Sequence, residues 1–220
     1  TNVPGMEVTE LFPLQAKIAD KFSVVRSLHH DTGDHFTAGH WILTGRGEGV
    51  SGANTKGKYP FFGSVATKVT GARKAGMPAH VAIPYGMSIG LRPGYFGGNY
   101  LGVHHNPFET DGDPNAENYQ VKNIGLSQGL TLDRLNDRRA LLTSIDGLRR
   151  QADASGMFEA MDKFDRTAFE MVTGDRTREA FDLSKEDSKT RDLYGRHSWG
   201  QSTLLARRLV EAGTTFVSCH

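Results

Sequence analysis

Four of the nine histidines, His29, His30, His35 and His40, fall between Arg26 and Arg46 together with Asp31 and Asp34, in the stretch RSLHHDTGDHFTAGHWILTGR. Imidazole nitrogens and carboxylate oxygens are the donors a divalent metal takes, and the same groups act as general bases. The chemistry such a cluster would support is metal-assisted or phosphoryl- or sulfuryl-type transfer. Asp31, Asp34 and His35 are the candidate metal ligands in this loop, and His220, at the end of an apolar run, is a fourth. His35 is also a candidate catalytic group. Thr37 is the hydroxyl in the second half of the loop that could act as nucleophile.

Each residue has a structural reading beside the chemical one. Asp34 could orient the His35 ring, or it could cap a helix over Phe36–Leu43. Thr37, early in that helix, could simply bond to backbone. His29 and His30, following a strand, would point to opposite faces, so one site cannot use both. His40 lies five residues after His35, off the i, i+4 helical face. Arg46 could hold an anion bidentately or be solvated. His104 and His105 are an adjacent pair in a loop, a weak metal signal, and His197 belongs to the start of a helix. Gly45, Gly47, Gly49 and Gly52 lack the lysine and the strand–loop–helix frame of a phosphate loop, and read as a connection.

Elements must position these groups. Thr9 can cap a helix with Leu11, Leu14 and Ile18 at helical spacing. Phe22–Leu28 (FSVVRSL) is β-rich and predicts a strand directly before the histidines. A helix follows over Phe62–Arg73, with Phe62, Val65, Ala66 and Val69 on one face, and then a strand over His80–Pro84. Residues 86–125, rich in Gly, Pro, Asn and Asp, form a long loop-like segment, functional or covering a sheet edge. Thr131 can cap a helix carrying Leu135, Leu142, Ile145 and Leu148, and Met157–Val172 is helical. Ser184–Asp187 resembles a capping box. A helix opened by Ser198 or Ser202 runs through Leu204, Leu205, Leu209 and Val210 to Gly213, and a strand over residues 214–219 follows. Alternating strands and helices predict an α/β fold with a largely parallel sheet, whose ligands gather beyond the carboxyl ends of the strands. That places the histidine loop and His220 on one rim.

Lys plus Arg number 26 against 25 for Asp plus Glu, so no global field recruits nucleic acid or an anionic membrane surface. No apolar run approaches the roughly 18 residues of a membrane span. The single cysteine, Cys219, excludes an internal disulfide framework. The apolar run up to His220 has no turn or tail after it, which predicts an internal fragment of a longer protein, truncated at both ends, whose exposed sheet edge would make it poorly soluble alone.

The strand FSVVRSL, the Asp34-His35 pair, Ala38 and the closing Leu43-Thr44-Gly45 resemble the alkaline-phosphatase/sulfatase superfamily. The segments LFPLQAKIADKFSVVRSLHH, DHFTAGHWILTG, FGSVATKV, HVAIP, GYFG, LDRLNDRRALL, AFDLSKED and RDLYGRHSWGQSTLLARRLVEAGTTFV are similar to a bacterial family of sulfatase-like secreted proteins of unknown function, over nearly all 220 residues. The resemblance implies a three-layer α/β sandwich with a central, largely parallel sheet, of which residues 1–220 are one part. It also implies a divalent metal, hydrolysis of small anionic phosphate or sulfate esters, and a secreted or periplasmic location. Ten residues before Gly45 stands His35, where catalytic relatives carry Ser, Thr or a formylglycine-forming Cys. A catalytically inactive member of the same fold that binds an extracellular ligand or partner is the alternative. A lone zinc hydrolase using only the 29–40 cluster is the third.

Overall fold

The computed structural model describes residues 1–47, 57–122, 124, 131, 133–137, 140 and 167–220, and the chain divides into two compact units, Thr1–Gly33 and Asp34–His220. In the first unit, helix α1 is a single turn, Pro13–Ala16, with proline in its first turn, where a missing N–H costs nothing. Thr9 caps no helix; its carbonyl accepts from Phe12 N at 3.1 Å in a preceding turn. The strand expected over Phe22–Leu28 is not formed. These residues are exposed and join no ladder, Val25 and Leu28 each being 72% accessible. Their β-branched content gives propensity, but a strand forms only where a neighbour satisfies its backbone. The reading of His29 and His30 as the tip of a strand falls with it.

The second unit is mixed α/β, built on a three-stranded parallel sheet of order β2–β1–β3. Strand β1 is His80–Ile83, β2 is Phe108–Glu109 and β3 is Phe216–Cys219. All four residues of β1 are buried, as a central parallel strand covered on both faces requires. The registers Val81↔Phe108, Ala82↔Glu109 and Ala82↔Ser218 bring the carboxyl ends of all three strands to one rim. Most of the 86–125 segment is irregular, with single 3-10 turns at Gly94–Phe96, Asn99–Leu101 and Val103–His105, and its β2 covers one edge of β1.

Helix α2 is His35–Thr44 and α3 is Phe62–Thr70. The inner face of α3 is the reverse of the one its apolar spacing predicts: Gly63, Ser64 and Thr67 are buried, while Phe62, Val65 and Val69 are exposed. The helix lies so close to the sheet that a Cβ on Gly63 would sit 2.7 Å from the Phe216 ring. Small residues therefore line the contact and the large ones turn outward. The opposite face of the sheet carries helices α4 (Asp175–Phe181), α5 (Ser188–Tyr194) and α6 (Ser198–Ala212). Met77, Val81, Ile83, Phe181, Leu183, Leu204, Leu205 and Leu209 form the main core there.

Residues 133–137 and 167–173 are also helical. Thr131 Oγ1 accepts from Arg134 N at 3.3 Å, in agreement with its expected capping role, whereas Leu142, Ile145 and Leu148 and the 157–166 part of the next expected helix lie outside the described residues. The capping box expected at Ser184–Asp187 is replaced by two separate caps. Asp182 accepts from Ser184 N, and Asp187 opens α5 by accepting from Thr190 N at 2.9 Å and Thr190 Oγ1 at 2.7 Å. Helix α6 begins at Ser198, and its cap is His197, whose Nδ1 accepts from Gly200 N at 3.2 Å. Replacing His197 with alanine is expected to lower stability by about 1 kcal/mol, and serine or asparagine to restore most of it, measured by denaturant unfolding. No helix among the described residues is long and apolar enough to cross a membrane.

Candidate functional site

The alternation of side chains along a strand assigns the two faces of the rim. Glu109, Ala82 and Ser218 are in register across the three strands, so their side chains share the face on which α3 packs. One step further out, the backbone N–H groups of Asp111 and His220 bond to the Pro84 and Ile83 carbonyls, both at 2.9 Å, and continue the sheet past its last full pairing.

Two polar groupings occupy this rim. The first is His220 with Ser218: imidazole Nε2 and Ser218 Oγ lie 2.9 Å apart, Ser218 in β3 and His220 directly after it. Burial holds the His220 imidazole below its ordinary pKa, opposed by the Met87 backbone and the Glu109 carboxylate. Its ring meets Phe96 edge to face at 4.7 Å. The second is Arg92, which donates to Glu109 Oε2 at 2.6 Å, pairs with Asp111 at 3.5 Å, and stacks 3.8 Å over the Tyr85 ring. Glu109 also accepts from Gly86 N at 3.3 Å. The guanidinium is thereby fixed and both carboxylates are compensated. Cys219 points to the other face, with Sγ 3.6 Å from the Ser202 carbonyl, and burial pushes its thiol up, away from thiolate chemistry.

Helix α2 reaches this rim through an aromatic bridge. Phe36 in its first turn packs with Tyr95 and Phe96, and Phe96 in turn touches His220. Gly39 permits the approach, since a Cβ there would sit 2.8 Å from the Tyr95 hydroxyl. At the amino terminus of α2, Asp34 is the N-cap, accepting from Thr37 N at 2.7 Å. Hydrogen bonds from the Thr37 side chain and backbone hold the Asp34 carboxyl below its usual range, with a smaller contribution from His35. Of the two readings of Asp34, the cap is the one formed. Thr37 is half-buried and its hydroxyl is engaged by that cap, while His35 is exposed.

Asp31 belongs to the first unit and is exposed; Asp34, His35, Thr37 and His220 belong to the second. Among the described residues no three His, Cys, Asp or Glu side chains cluster as a metal site. His40 is fully buried, its ring 6.0 Å from Tyr95 and 6.1 Å from Tyr59. Burial lowers its pKa, the nearby Arg46 backbone opposing. Arg46 lies over the Tyr59 ring at 5.5 Å. His104 and His105 form a 3-10 turn, the first exposed and the second half-buried. Gly45 takes the left-handed backbone that closes α2.

Sequence reasoning did not find Arg92, Glu109, Ser218 or Tyr95. Their only sequence signal was position: Ser218 near a strand end, and the others within a segment long enough to suggest a role.

A family model described as a protein of unknown function (DUF1501) matches residues 1–220. No curated protein and no solved structure is significantly similar to the chain.

Proposed function

The chain belongs to that family of unknown function (DUF1501), and from this premise we propose that it forms part of a secreted or periplasmic hydrolase of phosphate or sulfate esters on a sulfatase-like sandwich. The carrying observation is the rim itself. Three parallel strands bring a His220–Ser218 pair and an Arg92-buttressed Glu109 to one edge, and an aromatic bridge ties the amino terminus of α2 to it. Ligands of open parallel sheets bind at such an edge, and an ester anion would meet imidazole, hydroxyl and the amino-terminal end of a helix there. His35 is the proposed acid–base group and Thr37 the nucleophile, with the Asp34 carboxylate accepting the Thr37 hydrogen bond.

A divalent metal is the cofactor this reading brings with it, with Asp34, His35 and His220 as the donors it would call on. These residues do not compose a metal site by themselves: Asp34 accepts two hydrogen bonds from Thr37, and no third acidic or imidazole group joins it among the described residues. No step is therefore assigned to a metal. The second reading, a non-catalytic member that binds an anionic ligand, is favoured by the same fact, because Thr37 is held as part of a helix cap.

The test is hydrolysis of p-nitrophenyl phosphate and p-nitrophenyl sulfate by the full-length protein, with zinc, calcium or manganese added and with a chelator. His35→Ala is expected to lower kcat by roughly 100-fold without changing the melting temperature, since His35 is exposed. Unchanged turnover would remove His35 from the reaction. No turnover of either ester with any metal would leave the binding reading in its place.

A further inference from the structure

The carboxyl-terminal end of α2 and the outer face of α3 enclose a second feature, separate from the rim. A cavity of about 400 Å³ is lined by Thr44, Arg46, Tyr59, Pro60, Phe62, Val65, Ala66 and Tyr100. Two of its walls are side chains that the close approach of α3 to the sheet turns outward, Phe62 at 46% and Val65 at 43% exposed, and Tyr100 of the Asn99–Leu101 turn, 69% exposed, adds a third. The volume lies near the lower end of small-molecule sites and suits a single ring.

Among the described residues, two cations lie at the ring of Tyr59, which lines the cavity. The Arg46 guanidinium lies 5.5 Å, and the Lys58 ammonium 5.2 Å, from the centre of the same Tyr59 ring. Among the described residues neither cation pairs with a carboxylate. Two like charges gathered at one aromatic ring repel each other, and the ring quadrupole offsets only part of that repulsion. An anion bound beside this ring would offset the repulsion through charge-assisted contacts with the two cations. The buried His40 ring lies 6.1 Å from the Tyr59 ring, beside the Arg46 backbone. Thr44, which lines the cavity, is one helical turn from His40 and donates to the His40 carbonyl at 2.7 Å.

We propose that this cavity is a binding site for a small aromatic anion, whose sulfonate, sulfate or carboxylate is held by Arg46 and Lys58 and whose ring packs against Phe62, Val65 and Tyr100. The site stands independently of the hydrolase reading. It lies at the opposite end of α2 from His35, a helix of 10 residues, or about 15 Å at the usual rise.

The probe is benzenesulfonate, which has no ester to hydrolyse, titrated into the full-length protein and followed by calorimetry and by NMR of the tyrosine rings. Saturable binding is expected, with Tyr59 and Tyr100 resonances moving, and with affinity falling as salt rises. The double variant R46A/K58A is expected to weaken binding at least roughly tenfold, and Tyr100→Leu to weaken it less. All three side chains are at the surface or half-exposed, and an unchanged melting temperature confirms that the variants fold. Inorganic sulfate binding as tightly as benzenesulfonate, or benzyl alcohol binding as tightly, would overturn the proposal, the first by removing the ring and the second by removing the charge. Binding undiminished in R46A/K58A, or no saturable binding, would overturn it as well. An R46A/K58A variant that keeps full ester hydrolysis while losing benzenesulfonate supports a site separate from the rim. Loss of hydrolysis in parallel with benzenesulfonate would overturn that separation.

Discussion

Lowering the pH from 7 to 4 is expected to remove about 3 kcal/mol of stability through His80 alone. The residue is 4% exposed in the central strand, stacked on Phe61 at 5.4 Å and edge-on to Phe216 at 5.3 Å, with Ser64 Oγ 3.5 Å from its Nδ1. Burial in this aromatic setting is the main cause that pushes its pKa from 6.5 down to about 4; the His105 backbone opposes this and the charge of His220 adds to it. The sign follows from which state takes up the proton. Below pH 6.5 the unfolded chain binds a proton at His80 while the folded chain does not, so the folded state loses ground as pH falls. The stability is complete above about pH 6.5, declines through the interval down to about pH 4, and changes no further on that account below it. His40 and His220 are displaced in the same direction by burial and steepen the same slope. Denaturant unfolding at a series of pH values reads this directly. His80→Phe is expected to flatten the curve between pH 6.5 and 4, and an unaltered slope in that variant would show that His80 is not the group responsible.

Leu205→Ala is expected to cost about 3 kcal/mol, a large part of the 5–15 kcal/mol typical of a domain. Leu204, Leu205 and Leu209 are fully buried on α6, and they pack against Val81 and Ile83 of the central strand and Phe181 and Leu183 beside it. Truncation there loses the transfer free energy of three carbons and leaves a cavity that the surrounding strand and helices cannot collapse to fill. The same substitution at Leu193, which is 84% exposed on α5, is expected to change stability by less than about 0.5 kcal/mol. Equal midpoints for the two variants would contradict the assignment of α6 as the core helix.

The elements legible in the sequence were those whose signals agree at several levels. HVAIP and TTFVSC are short apolar runs bounded by turn residues, and α6 carries a continuous apolar stripe stopped by Gly213. Asp34 gave the start of α2 because an acidic residue at that position satisfies free N–H groups. Phe22–Leu28 misled because β-branched composition is a local property while pairing is a tertiary one. The inner face of α3 misled for a related reason: the distance between helix and sheet, and not hydrophobicity, decided which face turned inward. Strand β2 is two residues long, below what periodicity can register. The Arg92–Glu109 pair spans 17 positions and depends on that strand, so nothing local announced it. His35 and Thr37 were legible as chemistry-bearing residue types, but that Thr37 would be held by the Asp34 cap became visible only in the geometry.

The most direct test of the shared rim is histidine side-chain NMR of the full-length protein titrated with phenylphosphonate, a non-hydrolysable ester mimic, with and without zinc. Should α2 and β3 serve one anion site, the imidazole resonances of His35 and His220 move together and saturate at the same ligand concentration. Movement of neither, in a protein whose remaining spectrum is that of the folded state, would contradict a common site at this edge of the sheet.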